Sequence, residues 1–577
     1  MHRSPSIWFV SALILTGVAV PAPAPASAAG AGSGRTETVV SGTSPVTGVV
    51  ESEVAVPIPL PATAGPHPAA CDRLHYLRYR DRAGPARSAS ADRILVAQPG
   101  ILEGAGAFDS VARDTVAEAA RRGHHIEFWA LDRRSNCLED HTGIRAGLAA
   151  GDVRVALDYY YGGAPAEGRR FAGFLDNSQV GWLAGVGLEQ TVRDEYDLLV
   201  AELPDRSVRR QKVLCGGHSL GGVITGYFAV WDFDGDPAST ADAGYRQCGG
   251  YFALDTTIST SLADLSGQTP AGILPDLGIG YALIRSGLES GVLSRTVSAP
   301  VLINAETMNL LAVAGLAART DPDHETLLPA LPSNTNIDTT QRILFSKDFL
   351  TFLAGSPSAR DFHLTNAAVL GGLLDDNSQP LSFLEASVGF FDGGPITDKN
   401  FPLPSDVTTD PSLGALGGLI GNRPMAIPAR PDGPLYTWRN YHRIGAPDDP
   451  GYRSSNGQPF STAAEEVTDL QELARSLAEH PLDFTEQYFP TRLVTDIEQN
   501  TAPEVTRFVA HPEGLTANPV ITLVAGDGLL AGRTLPPEYH AVLAPGYQHL
   551  DVLTAAPVQN TGRPEIVSTS LAGFALS

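Results

Sequence analysis

The chain has 577 residues, 43% of them hydrophobic and 18% charged, which is the balance of a folded protein too long for one compact core. Forty basic residues against 64 acidic ones leave a net charge of −24, which would repel phosphate backbones and argues against nucleic acid as a partner. Four cysteines exclude a disulfide-built scaffold, and no two have C-x-x-C spacing, so no zinc or dithiol site is expected.

Residues 1–28 read as a signal peptide. Arg3 precedes an apolar run from Ile7 to Val20, and Ala26-Ser27-Ala28 follows as a small-x-small cleavage site. No other run reaches the length of a membrane-spanning helix, so a secreted protein without stable membrane insertion is expected. Export would place Cys71, Cys137, Cys215 and Cys248 where two bridges can form by any of three pairings, although Cys215 also suits a buried free thiol. Residues 29–73, rich in Ala, Gly, Pro, Thr and Val, read as a tether with a peripheral strand around Gly48–Leu60.

From Leu74 onward strand and helix patterns alternate. Strands are expected at Leu74–Arg80, Arg93–Gln98, His125–Leu131, Lys212–Gly216 and Tyr251–Leu254, with helices at Phe108–Arg122, Val186–Leu203 and Gly221–Trp231. Residues 257–518 break the alternation with Pro/Gly/Asn-rich connections, an apolar helical stretch at Met308–Ala318 and an amphipathic segment over Ala463–Glu479. Strands return at Val520–Ala525 and His540–Leu543, with a terminal helix over about Pro564–Phe574. The pattern implies an α/β fold with a mostly parallel sheet covered on both faces. Residues 74–256 and 519–577 would be its two halves, and 257–518 a large inserted, mainly helical cap.

One motif carries chemistry. The strand Lys212–Gly216 runs into Gly217-His218-Ser219-Leu220-Gly221-Gly222 and then a helix, which is G-x-S-x-G in a strand–turn–helix context. A tight turn exposes Ser219, crowds the positions two before and two after it so that glycine is required there, and aims the Leu220 amide at a developing oxyanion. Here the chain resembles the α/β-hydrolase superfamily, in particular bacterial secreted serine esterases and lipases with G-H-S-x-G-G elbows, over roughly residues 74–256 and 519–577.

That resemblance implies the chain order serine, acid, histidine. Asp527, in the glycine-flanked turn after Val520–Ala525, is the expected acid, with Asp255 after Tyr251–Leu254 as the runner-up, and His549 is the expected base. Asp551 is expected to serve local packing. The second oxyanion amide would come from Ile101 or Leu102 in the loop Gln98-Pro99-Gly100, where many relatives have His-Gly. The loop Asp132–His141 resembles D-x-R-G-x-G-x-S with its glycines replaced and reads as a charge-paired loop near the site; His141 and Asp140 within it form a competing base–acid pair. Tyr159-Tyr160-Tyr161 reads as packing rather than a substrate wall.

No metal or nucleotide signature competes, so no cofactor is expected. The expected activity is hydrolysis of carboxylic esters with an apolar acyl group or a bulky hydrophobic portion, through an acyl-enzyme. A peptidase of the same superfamily, with Glu465, Glu466 or Glu472 holding a substrate amine, and a non-catalytic binding protein are the alternatives.

Overall fold

A computed structural model describes residues 34–40, 44–266, 280–298, 303–402, 423–500, 502–560 and 562–577. The signal-peptide expectation for 1–28 lies outside them. Strands β1 (Thr36–Val39), β2 (Val49–Pro57), β3 (Arg73–Asp81), β4 (Arg93–Gln98), β5 (Ile126–Leu131), β6 (Val213–His218) and β7 (Gly250–Leu254) precede the long interval. Within it lie β8 (Gly389–Asp392), β9 (Ile396–Asp398), β10 (Ala426–Pro428) and β11 (Thr437–Asn440); β12 (Val520–Ala525) and β13 (Ala541–Ala544) follow.

Nine strands form one sheet in the order β1-β2-β3-β5-β4-β6-β7-β12-β13. The pairings from β5 to β13 are all parallel, and those joining β1, β2, β3 and β5 are antiparallel. The fold is therefore α/β with a large, mostly parallel sheet and helices.

The apolar strand runs are buried on both faces. In β4, Leu95 and Ala97 pack in one cluster with Val111 and Val116 of the helix Asp109–Arg121 and with Leu571 of the terminal helix Ile566–Ala575. Ile94 and Val96 point the other way, into a second cluster with Val192 of Leu188–Glu202 and Val223 and Ile224 of Leu220–Val230. Period-two alternation sends successive residues to opposite faces, so burial on both sides reads as a continuous apolar run.

Residues 257–518 add no strand to this sheet among those described; β8–β11 form two separate two-stranded antiparallel sheets, and helices make up much of the rest. The helix Leu470–Ala478 is shorter than the amphipathic pattern, because the Asp469 side chain caps it through the amides of Gln471 and Glu472. It is bonded to the sheet: Arg475 donates to Glu51 of β2 at 2.8 Å and pairs with the wholly buried Asp109. Without that guanidinium Glu51 would be a stranded buried charge, whereas Asp109 keeps Arg113 at 3.0 Å.

Two expectations are corrected. The strand expected around Gly48–Leu60 is present as β2, but it is not peripheral: it lies between β1 and β3 and is buried along most of its length. Cys215 is not a free thiol: the bridges are Cys71–Cys137 and Cys215–Cys248. No helix among the described residues is long and apolar enough to cross a membrane.

Candidate active site

Ser219 lies between β6 and the helix Leu220–Val230 with φ 53° and ψ −122°, a backbone conformation that L side chains rarely adopt. Its amide donates to the Leu254 carbonyl at 3.2 Å, and its carbonyl accepts from the Thr256 hydroxyl at 2.6 Å. The flanking glycines are required sterically, since a Cβ on Gly217 or Gly221 would stand 2.5 or 2.1 Å from the Gln98 carbonyl oxygen. This close approach brings the start of the helix against the loop after β4, which holds Ile101 and Leu102.

That loop is shaped by a residue not singled out from the sequence. Arg133 donates to the carbonyls of Pro99 at 2.8 Å, of Gly100, and of Glu103 at 3.1 Å, and its Nε bonds Glu486 at 2.6 Å. Leu102 has φ 60°, and its own carbonyl accepts from the Glu486 amide at 2.8 Å. Among the described residues no backbone carbonyl accepts from the amide of Ile101 or Leu102. The expectation of a charge-paired loop near the site fits this geometry.

His549 is 1% exposed, and its Nδ1 lies 2.6 Å from Asp255 Oδ2. The acid beside the histidine is therefore Asp255, not the expected Asp527. Asp255 is wholly buried at the end of β7, with φ 43°, and also accepts from the amides of Ala525 at 3.1 Å and Leu529 at 2.8 Å. The Gly526-Asp527-Gly528 turn thus wraps around Asp255; a Cβ on Gly528 would stand 2.3 Å from its Oδ2. Asp527 points elsewhere, partly exposed, with Oδ2 3.4 Å from an Arg423 that also pairs with Asp376 and Glu465.

Of the five non-glycine residues with positive φ among those described, three are Leu102, Ser219 and Asp255. Backbone strain of roughly 1–3 kcal/mol per residue persists where the surroundings over-determine it, which is typical of functional sites.

Both ring nitrogens of His218 have partners other than Ser219. Nδ1 lies 2.8 Å from a Glu103 carboxylate oxygen and Nε2 lies 3.0 Å from the His549 carbonyl oxygen. Two acceptors require two N–H donors, so His218 is held as an imidazolium. Burial alone would lower its pKa, but the Glu103 charge more than offsets this and leaves it raised, while Glu103 is correspondingly lowered. The His218 and His549 rings lie 4.3 Å apart. Burial and this neighbouring cation hold His549 below the ordinary histidine pKa, in spite of Asp255. No hydrogen bond joins Ser219 Oγ to His549 among the described residues; such contacts often tighten only when substrate is bound.

The loop carrying His549 is clamped from below. Asp551 accepts from the amides of Gln548 and Ser387 and the hydroxyl of Thr468, at 2.7, 3.0 and 2.7 Å, which bears out its packing role. Gln548 donates to Asp376 at 2.8 Å, and the Leu550 amide donates to the Glu385 carbonyl at 3.0 Å.

The remaining candidates lie in other roles. His141 pairs with Asp483 at 2.9 Å rather than with Asp140, whose carboxylate accepts from Tyr159 at 2.7 Å. Tyr159 and Tyr160 pack edge-on at 5.2 Å and meet Phe171, as the packing reading expects. Glu465 is bound to Arg423, Glu472 to Arg113, and the buried Glu466 accepts from the Gly389 amide and the Ser461 hydroxyl, so none is free to hold a substrate amine. Potential metal-ligand atoms approach within 4.8 Å in Asp375, Asp376 and Glu466. Burial raises the pKa of Asp375 and Glu466, and each carboxylate already accepts from a backbone amide, of Asn377 and Gly389 respectively.

No protein-family model matches the chain, and no curated protein matches it.

Proposed function

We propose that this protein is an exported serine hydrolase of the α/β-hydrolase type that cleaves carboxylic esters. The observation that carries this reading is the buried 2.6 Å contact of His549 with Asp255, set against a serine held at φ 53° on a strand-to-helix turn. His549 takes the Ser219 proton as Oγ attacks the acyl carbonyl, and Asp255 holds the imidazole by its Nδ1–H so that Nε2 is the basic atom. The Leu220 amide and that of Ile101 or Leu102 receive the oxyanion. Protonated His549 then gives its proton to the leaving alcohol, and a water activated by the same histidine hydrolyses the acyl-enzyme. Residues 257–518 act as the cap of the site, and the two disulfides suit an oxidising compartment.

A fluorophosphonate probe tests the assignment on the folded, disulfide-intact protein. The expected result is one adduct, on the peptide carrying Ser219, prevented by prior incubation with an ester substrate. An unlabelled Ser219 in folded protein overturns the reading.

The depressed His549 pKa sets a pH dependence. The base works when neutral, so the acidic limb of kcat/KM should fall below pH 6.5, the ordinary histidine value. Glu103→Gln removes the counter-ion of His218, which then gives up its proton and no longer opposes protonation of His549. Loss of the Glu103 charge acts the other way but is the smaller effect, so the acidic limb should move to higher pH, and a shift to lower pH would rule out charge on His218 as its cause.

A further inference from the structure

An apolar cavity of about 270 Å³ lies among the helices Ala305–Thr320, Thr335–Phe345, Phe349–Ala354 and Asn366–Leu374. Its described lining is mostly hydrophobic, including Met308, Leu311, Ile343, Leu344, Phe352 and Leu384. The few polar residues on its wall are already engaged. Gln379 donates to the Leu373 carbonyl at 2.7 Å and accepts from the Leu381 amide at 3.0 Å, and the Thr307 hydroxyl caps its own helix through Asn304. A sugar or a charged peptide would lose its hydration here without gaining partners, whereas a hydrocarbon loses nothing by entering.

The cavity wall is bonded to both halves of the proposed site. Met308 belongs to the same apolar cluster as Leu220, which follows Ser219, and Leu102, in the loop that offers the second oxyanion amide. Its carbonyl accepts from the Thr485 hydroxyl at 3.3 Å, and Thr485 pairs with Glu103 in the loop after β4. On the other side, Leu384 precedes Glu385, whose carbonyl receives the Leu550 amide next to His549. Away from these contacts, Phe352 stacks on Phe401 at 4.6 Å.

We propose that this cavity binds the hydrocarbon tail of the acyl group, so that the substrates are esters of medium-chain fatty acids. The proposal rests on the hydrolase reading of Ser219 for its direction, but the cavity's affinity for a hydrocarbon does not. At about 30 Å³ for a water-sized unit, a volume of about 270 Å³ holds roughly nine methylene-sized groups. Burial of each methylene is worth about fourfold in kcat/KM, so selectivity should climb steeply from acetyl and level off near ten carbons.

The test uses the full secreted chain with p-nitrophenyl esters of two to sixteen carbons, and the variant Ile343→Trp. Ile343 is half-buried, so its added bulk can enter the cavity without crowding a closed core. The expected result is a wild-type optimum at about eight to ten carbons, shifted by the variant to about four. A second measurement needs no turnover: decanoate should raise the melting temperature of Ser219→Ala, acetate should not, and adding Ile343→Trp should abolish the shift. A flat chain-length profile, or one that Ile343→Trp leaves in place, overturns the cavity proposal while a fluorophosphonate adduct on Ser219 preserves the hydrolase reading. Decanoate stabilisation in a protein whose Ser219 takes no adduct overturns the hydrolase reading and supports the cavity.

Discussion

Ser219→Ala should lower kcat for p-nitrophenyl esters by about 10⁶-fold, the order found when a triad nucleophile is removed, while leaving the fold intact. Oγ is the only atom lost, and it takes no part in the hydrogen bonds that hold the turn: these run through the Ser219 amide to Leu254 and through its carbonyl to Thr256. Thermal unfolding of the alanine variant should match the wild type, because both hold a Cβ at φ 53°. Ser219→Gly should be equally inactive yet unfold at a higher temperature. Relief of roughly 1–3 kcal/mol of backbone strain exceeds the roughly 0.5–1 kcal/mol that glycine costs through the unfolded chain. A glycine variant less stable than the alanine one would show that the turn is not strained. Residual ester turnover near the wild-type rate in either variant would remove Ser219 from the mechanism.

The strands around this turn were legible in the sequence because their burial is simple. β6, β7 and β12 are buried throughout and β4 from its second residue, so apolar content alone marks them to within two residues. β2 was expected as a peripheral strand rather than a buried one, because Glu51 and Glu53 interrupt its apolar run amid Ala, Gly and Pro. Glu51 is buried only because Arg475 meets it from 424 residues away, and no local pattern encodes such a partner. Arg133 was passed over for a similar reason: its loop looked charge-paired, but what it holds are carbonyls after a different strand and Glu486 in the interval. His218 was expected to leave the serine to another base, and its ring nitrogens bond Glu103 and the His549 carbonyl. Its role as a cation beneath His549 depends on Glu103 and on a backbone carbonyl, neither of which has a sequence signature.

The choice of acid separates what spacing can determine from what the sheet decides, and it predicts the second-largest effect. Asp255 and Asp527 both follow apolar strands, so position in the chain does not rank them. Sheet order does, since β7 lies directly beside β6, which carries the serine, and β12 lies one strand further out. An acid at the end of β7 reaches His549, and the turn after β12 then serves to donate the Ala525 and Leu529 amides to it. Asp255→Asn should therefore lower kcat by about 10⁴-fold, because an amide in that place favours the tautomer with the proton on the wrong nitrogen. Asp527→Asn loses only a partly exposed ion pair with Arg423, an interaction worth about 0–1 kcal/mol, and should change kcat by less than about fivefold. Measuring both variants under one set of conditions, with circular dichroism to confirm folding, decides between them. A large loss at Asp527 with little at Asp255 would mean that the 2.6 Å contact orients His549 for something other than catalysis and that the outer turn moves inward when substrate binds.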